Sequence, residues 1–332
     1  MIKSIIKIFP LSFKKFLKDS FQFVKRIFPG RHVGLPKYGL EPTQIYPFGK
    51  NLLPVMLQAT KSKLMDLRLN PSTPVASIGS CFAEEIAFYM INRNFNYLRK
   101  EDDLMNASAN WGRVFTIPNL LQIIQYSADN SFPLLIKHSE YGWFDPLRED
   151  KSFYKTEKIA QEAILRHRKA SLDAFESCEI LIITVGQNEG WVDKSSSLIW
   201  AKKPPKLILE NNEDNFSCEE FSYEKNLSDL NETIRYLKKI NKGIKILFTV
   251  SPVPSQASFL DIDVVTKSFA NKALLRTVVN KIVSTNNNVY YFPSFEMVLC
   301  DNPKNYKADN RHVKHSMVRK IFNILSKSTF EK

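Results

Sequence analysis

Residues Val75 to Met90, VASIGSCFAEEIAFYM, restrict the fold of this chain more than any other stretch. Val75 to Ile78 is a short apolar run of strand type that stops at Gly79. Ser80, Cys81, Phe82 and Ala83 follow, and then a helix with Glu84 and Glu85 in its first turn and Phe82, Ile86, Tyr89 and Met90 at helical spacing. A strand that turns sharply into a helix places Ser80 at the carboxyl edge of a sheet. The same residue stands at a helix N-terminus, where free N–H groups and the dipole favour negative charge. A serine there is presented for attack, and its own N–H is placed to hold an oxyanion. The plainer alternative is a strand–helix turn that Gly79 relaxes and Ser80 caps.

The rest of the chain repeats this alternation. Glu179 to Val185 is a continuous β-branched run ending at Gly186, the pattern of a parallel strand buried on both faces. Lys245 to Val250 and Val289 to Phe292 are further strands. Helical periodicity covers about 118–127, 154–176, 223–241, 263–285 and 314–327, while 128–153 and 194–222 read as loop-rich insertions. The expected fold is α/β, a three-layer, doubly wound and mostly parallel sheet over 73–330. An extended, Pro-rich lead-in over 31–72 precedes it, and a basic helical arm occupies 1–30. Such sheets work at the carboxyl ends of their strands. Ser80, Asn188, Ser251 and Glu296 should therefore gather at one rim, within reach of His312.

Charge is concentrated at the N-terminus. Residues 1–32 carry eight Lys and Arg against Asp19 alone, a net of +7 and about half of the chain's +13. Phe13, Phe16, Leu17, Phe21, Val24, Ile27 and Phe28 fall near one helical face, but lysines interrupt every apolar run. That pattern fits neither a signal peptide nor a spanning helix. It suits an interfacial helix on an anionic membrane surface, or a helix packed on the domain or on a partner. The remaining charge is spread thinly, without an aromatic-interleaved basic module, so nucleic acid is not an expected partner. Cys81, Cys178, Cys218 and Cys300 show no paired spacing, which points to a reducing, cytoplasmic setting without disulfides. Nothing in the five histidines calls for a metal or another cofactor.

An acyl-transfer site needs a nucleophile, a base, a group that orients the base, and donors for the oxyanion. Ser80 can be the nucleophile and His312 the base. Asp309, three residues earlier, can reach back to the imidazole. Gly112 allows close approach of a backbone N–H, and the Asn188 side chain can supply another donor. His315 is a second candidate base, but no carboxylate stands three residues before it. The Cys81 thiol is a rival nucleophile, expected to turn inward as packing.

The run Gly79–Ser80–Cys81–Phe82–Ala83 matches the signature of the GSCFA family, relatives of the SGNH (GDSL-type) hydrolases. Asn110 to Thr116 resembles that family's glycine block, and Thr184 to Trp191 its third block. Thr249–Pro254, Tyr291–Glu296 and Asp309–His312 resemble its later stretches, so the likeness runs over about 75–320. The family more often has Thr–Glu where this chain has Asn188–Glu189; Asn188 is nearer to the wider SGNH pattern. The resemblance implies a carboxylic-ester hydrolase or O-acyltransferase. Ser80 would be nucleophile and first oxyanion donor, Gly112 and Asn188 the other donors, His312 the base and Asp309 its orienting partner. It also implies an acylated, in particular acetylated, glycan or polysaccharide precursor as substrate, with the basic arm holding the enzyme peripherally at the inner membrane face. Trp191, Glu296, Trp143 and Ser251 are candidate substrate contacts. The alternatives are a non-catalytic carbohydrate-binding or scaffold protein on the same fold, or nucleic-acid binding through the basic arm.

Overall fold

The computed structural model describes residues 39–47, 52–101, 107–129, 137–140, 142–148, 153–210, 212–301 and 303–329. The expected basic arm lies outside them. The chain divides into two units, Met1–Met56 and Leu57–Lys332. The described part of the first holds a 3-10 turn at Pro42–Gln44 and the start of helix α1 (Leu52–Leu64). This helix corrects the expectation of an extended lead-in. Pro54 sits in its first turn, where a missing N–H costs nothing, so the proline count did not preclude a helix.

The second unit is built on a parallel sheet of β1 (Val75–Gly79), β5 (Ile180–Val185), β9 (Lys245–Val250) and β10 (Val289–Tyr291), side by side in that order. On the other flank of β1, Tyr97 makes a parallel bridge to Val75. Counted with that bridge, chain order across the sheet is 2-1-3-4-5, and the sheet grows in both directions from β1. The switch in direction therefore falls between β1 and β5, where such sheets open their crevice.

Both faces of the sheet are covered. Ala76, Ile78, Leu181, Ile183, Val185, Ile246, Phe248 and Val250 join one core cluster with α3 (Ile117–Ala128), α4 (Glu157–Ser177), α6 (Tyr223–Ile240) and α7 (Val264–Thr285). The intervening Val75, Ile180, Ile182 and Leu247 are equally buried, which the period of two in a strand requires of a sheet sandwiched on both sides. The second helical group is α2 (Cys81–Asn92), α8 (Ser294–Asp301) and α9 (His315–Thr329). The result is a mixed α/β fold with a parallel central sheet between helical layers.

Helix starts follow local chemistry. Thr116, Thr156, Ser222 and Asp263 cap α3, α4, α6 and α7 by accepting from the N–H three residues on. Two expected loop regions carry small antiparallel sheets instead. One joins β2 (Lys137–Ser139), β3 (Gly142–Phe144) and β4 (Phe153–Tyr154); the other has β7 (Leu198–Trp200), β6 (Glu189–Asp193) and β8 (Phe216–Glu220) in that order. Short helix α5 (Lys206–Leu209) lies within the second insertion. These strands are two to five residues long, too short to show a period in the sequence. Among the described residues, no helix is long and apolar enough to cross a membrane.

Candidate active site

Two glycines bring the β1–α2 turn against the end of β5. Gly79 has φ +145°, and a Cβ there would lie 2.3 Å from Thr184 O, so any side chain would part the two strands. A Cβ on Gly186 would stand 3.1 Å from Ser80 Cβ and 3.7 Å from Ser251 Cβ. The loop of residues 112–116 is laced over the same two strand ends. Val114 N–H donates to Gly79 O (2.9 Å), and the N–H groups of Gly186 and Gln187 donate to Phe115 O (3.2 and 2.9 Å). Gly112, at φ +70°, starts this loop, and its N–H meets no acceptor among the described residues.

Each letter of the turn has a distinct position. Ser80 is the N-cap of α2, with Oγ accepting from Phe82 N–H at 3.4 Å; the residue is 2% exposed. Its own N–H donates to Thr184 O at 3.2 Å, continuing the β1–β5 ladder. Phe82 points into the core and stacks on Phe322 of α9, with ring centroids 6.3 Å apart. One helical residue earlier, about 100° round the axis, Cys81 faces a cavity of about 670 Å³. The expectation that Cys81 turns inward is thus corrected: Phe82 takes the inward direction. Burial pushes the Cys81 thiol up, with Glu84 adding to the rise, while Arg113, Lys272 and Arg311 oppose it.

The cavity lies outside the carboxyl ends of β1, β5 and β9. Cys81, Arg113, Phe115 and Thr116 line it, with Trp191 of β6, Trp200 of β7, and Gln256, Ala257 and Phe259 from the loop after β9. Arg311 and His312 complete the wall. The imidazole is held from behind: Nδ1–H donates to Asp309 Oδ2, while Asp309 Oδ1 accepts from the N–H of Arg311 and of His312, each at 3.0 Å. These bonds, the imidazole first, hold the Asp309 carboxyl well below the usual carboxylate range. Nε2 of His312 is left without a protein partner among the described residues. In the neutral imidazole this nitrogen is a base facing the cavity. His315 instead opens α9 and pairs with Glu85 Oε2 at 3.4 Å.

The family comparison falls on this same set of elements. The GSCFA family model matches residues 74–324, from the residue before β1 into α9. The chain belongs to the GSCFA family. The five residues that give the family its name are Gly79 to Ala83, the turn just described. No curated protein matches the chain.

Around the GSCFA turn, the other expected site residues fall in different places. The Asn188 side chain is fully buried; Nδ2–H donates to Phe221 O (2.8 Å) and Oδ1 accepts from Asn226 Nδ2 (2.6 Å). It ties the start of β6 to the chain after β8. Ser251 is buried under the turn, its N–H on Val185 O (2.8 Å) and its Oγ accepting from Val253 N–H (3.3 Å). Glu296 takes Arg276 Nε (2.8 Å) on one oxygen and Tyr291 OH (2.7 Å) on the other. Trp143 lies in β3, opposite Tyr154. Of the four candidate substrate contacts, Trp191 alone is among the described residues lining the cavity.

Sequence reasoning passed over Lys272. Its ammonium group is buried beneath the turn and donates to Gly186 O at 2.6 Å. Burial lowers it to about 7, with the neighbouring Cys81 thiol opposing the shift. Its place in the middle of α7 hid it, because a lysine on a long helix reads as solvated.

Proposed function

We propose that this chain is an SGNH-type esterase or O-acyltransferase working through an acyl-enzyme on the GSCFA turn. The observation that carries the reading is His312, held by Asp309, on the wall of the cavity that Cys81 of the turn also lines. Asp309 fixes the tautomer, and His312 Nε2 takes the proton of the nucleophile and returns it to the leaving alcohol. Ser80 is the proposed nucleophile. Its Oγ leaves the long cap bond to Phe82 N–H when it rotates towards the ester carbonyl, a cost of about 1 kcal/mol. Gly112 N–H, free of protein acceptors among the described residues, is the proposed oxyanion donor. The Ser80 N–H and the Asn188 amide, the other two donors of the family reading, are engaged by Thr184 O and Phe221 O and serve only if those bonds open. An acylated glycan is the proposed substrate. The basic arm is proposed to keep the enzyme at an anionic lipid surface.

A second reading of the nucleophile has its own support. Cys81, not Ser80, lines the cavity that His312 faces, so a base-activated thiol at the first position of α2 is the alternative. Hydrolysis of an aryl acetate by the full chain, beside Ser80→Ala, Cys81→Ala and His312→Ala, separates the two. We expect His312→Ala to lose about 10²-fold or more in kcat/KM. Ser80→Ala should lose at least as much and Cys81→Ala little. Loss in Cys81→Ala with activity kept in Ser80→Ala would move the acyl-enzyme to the thiol. An inactive wild type would favour a carbohydrate-binding protein.

A further inference from the structure

The cavity has a charge that acyl transfer to or from a neutral sugar does not need. Arg113, Lys202, Lys203 and Arg311 all line it, and Glu189 is the one carboxylate among the described lining residues. Glu189 is already committed: its Oε2 accepts from Ser258 Oγ (2.8 Å) and its Oε1 from Phe259 N–H (3.1 Å). Arg113 is paired with Glu84 at 3.1 Å. The side chains of Lys203 and Arg311 meet no carboxylate among the described residues; the bond of Arg311 to Asp309 is made by its backbone N–H. The Lys203 ammonium is held over two rings, 5.1 Å from the centroids of Trp191 and of Phe259. Arg311 is steadied through Nε on Pro254 O at 3.3 Å, beside His312.

Cations from three separate segments therefore converge on one concavity beside aromatic faces. A concave, low-dielectric wall concentrates such a field rather than dissipating it. A solvated surface would scatter these charges; here they share about 670 Å³, room for a sugar and a diphosphate. We infer that the ligand of this cleft carries a diphosphate next to a ring, as in a nucleotide-linked or lipid-linked sugar. Lys203 and Arg311 take the phosphate oxygens, and the aromatic wall of Phe115 and Trp200 flanks the ring. This deepens the acyl-transfer reading and rests on it for the placing of the acyl group beside His312.

Calorimetric titration of the full chain with inorganic pyrophosphate, UDP and glucose 1-phosphate tests the inference, with glucuronate as a singly charged carboxylate control. We expect saturable binding of pyrophosphate and UDP, weakened by rising salt. Binding should fall roughly tenfold or more in Lys203→Gln/Arg311→Gln, whose side chains lie at the cavity wall and whose melting temperature should stay near that of the wild type. Lys203→Gln alone provides the same test should the double variant fold poorly. UDP much tighter than pyrophosphate or glucose 1-phosphate assigns the ligand to the nucleotide-linked source. Equal binding of UDP and pyrophosphate assigns it to a lipid-linked one. No saturable binding of either, binding unchanged in the variants, or glucuronate binding as tightly as pyrophosphate overturns the inference. Ser80→Ala and Cys81→Ala are titrated as well. Binding retained with turnover lost supports both readings, and binding retained in a wild type without esterase activity supports the diphosphate site while rejecting the acyl-enzyme.

Discussion

At the scale of single residues, one side chain can be asked to do two things that its contacts separate. Asn188 fits a donor to an oxyanion by sequence, yet its amide holds Phe221 O inside the protein. Removing it takes one hydrogen bond from Phe221 O and one from the Asn226 amide, which keep their bond to each other at 3.2 Å, a loss of about 0.5–1.5 kcal/mol for each bond. Asn188→Ala should therefore lower the urea midpoint as well as the turnover. A variant that kept full stability and lost only kcat would show that the amide turns to the substrate instead. Gly79 and Gly186 were legible as turn residues. That their missing Cβ atoms let Ser80 lie against β5 and Ser251 is a fact about strands distant in sequence.

At the scale of elements, the nucleophile turn is only as fixed as the helix behind it. Helix α2 is anchored to α9 by Phe82 and Tyr89, which stack on Phe322 with centroids 6.3 and 4.7 Å away. Phe322 is buried, so Phe322→Ala opens a cavity between the two helices and should cost about 3–5 kcal/mol in a chemical denaturation series. The bounds of the long elements followed from periodicity: β9 spans Lys245–Val250 as read, and α6 and α7 differ from the reading by one residue. The insertions did not follow. Strand β6 pairs with β7 through a short hairpin but also with β8, across all of residues 194–215, and local propensity has no access to that second pairing.

At the scale of the whole molecule, the buried Lys272 couples stability to pH. Burial lowers it from an ordinary 10.5 to about 7. Between those values the unfolded chain binds a proton that the folded chain does not, so stability rises with pH across that window, by at most about 1.4 kcal/mol per unit. Below about 7 both states are protonated, and the cost of the buried charge is at its constant maximum. Urea unfolding of the wild type and of Lys272→Met between pH 6 and about 10 should show that rise in the wild type and a flatter profile in the variant. Parallel profiles would show that the amine stays charged in the folded state. The sequence by itself determined the alternation of buried strands and amphipathic helices, the glycine-bearing turn at Ser80, and the DxxH spacing that lets Asp309 hold His312; each is set by contacts within one turn or one strand. Only the tertiary structure decided which of Ser80 and Cys81 faces the cavity, what the Asn188 and Glu296 side chains are bonded to, and that Arg113, Lys203 and Arg311 meet at one cleft. Those outcomes depend on which surfaces pack together across the sheet, and chain-local periodicity carries no record of partners a hundred residues away.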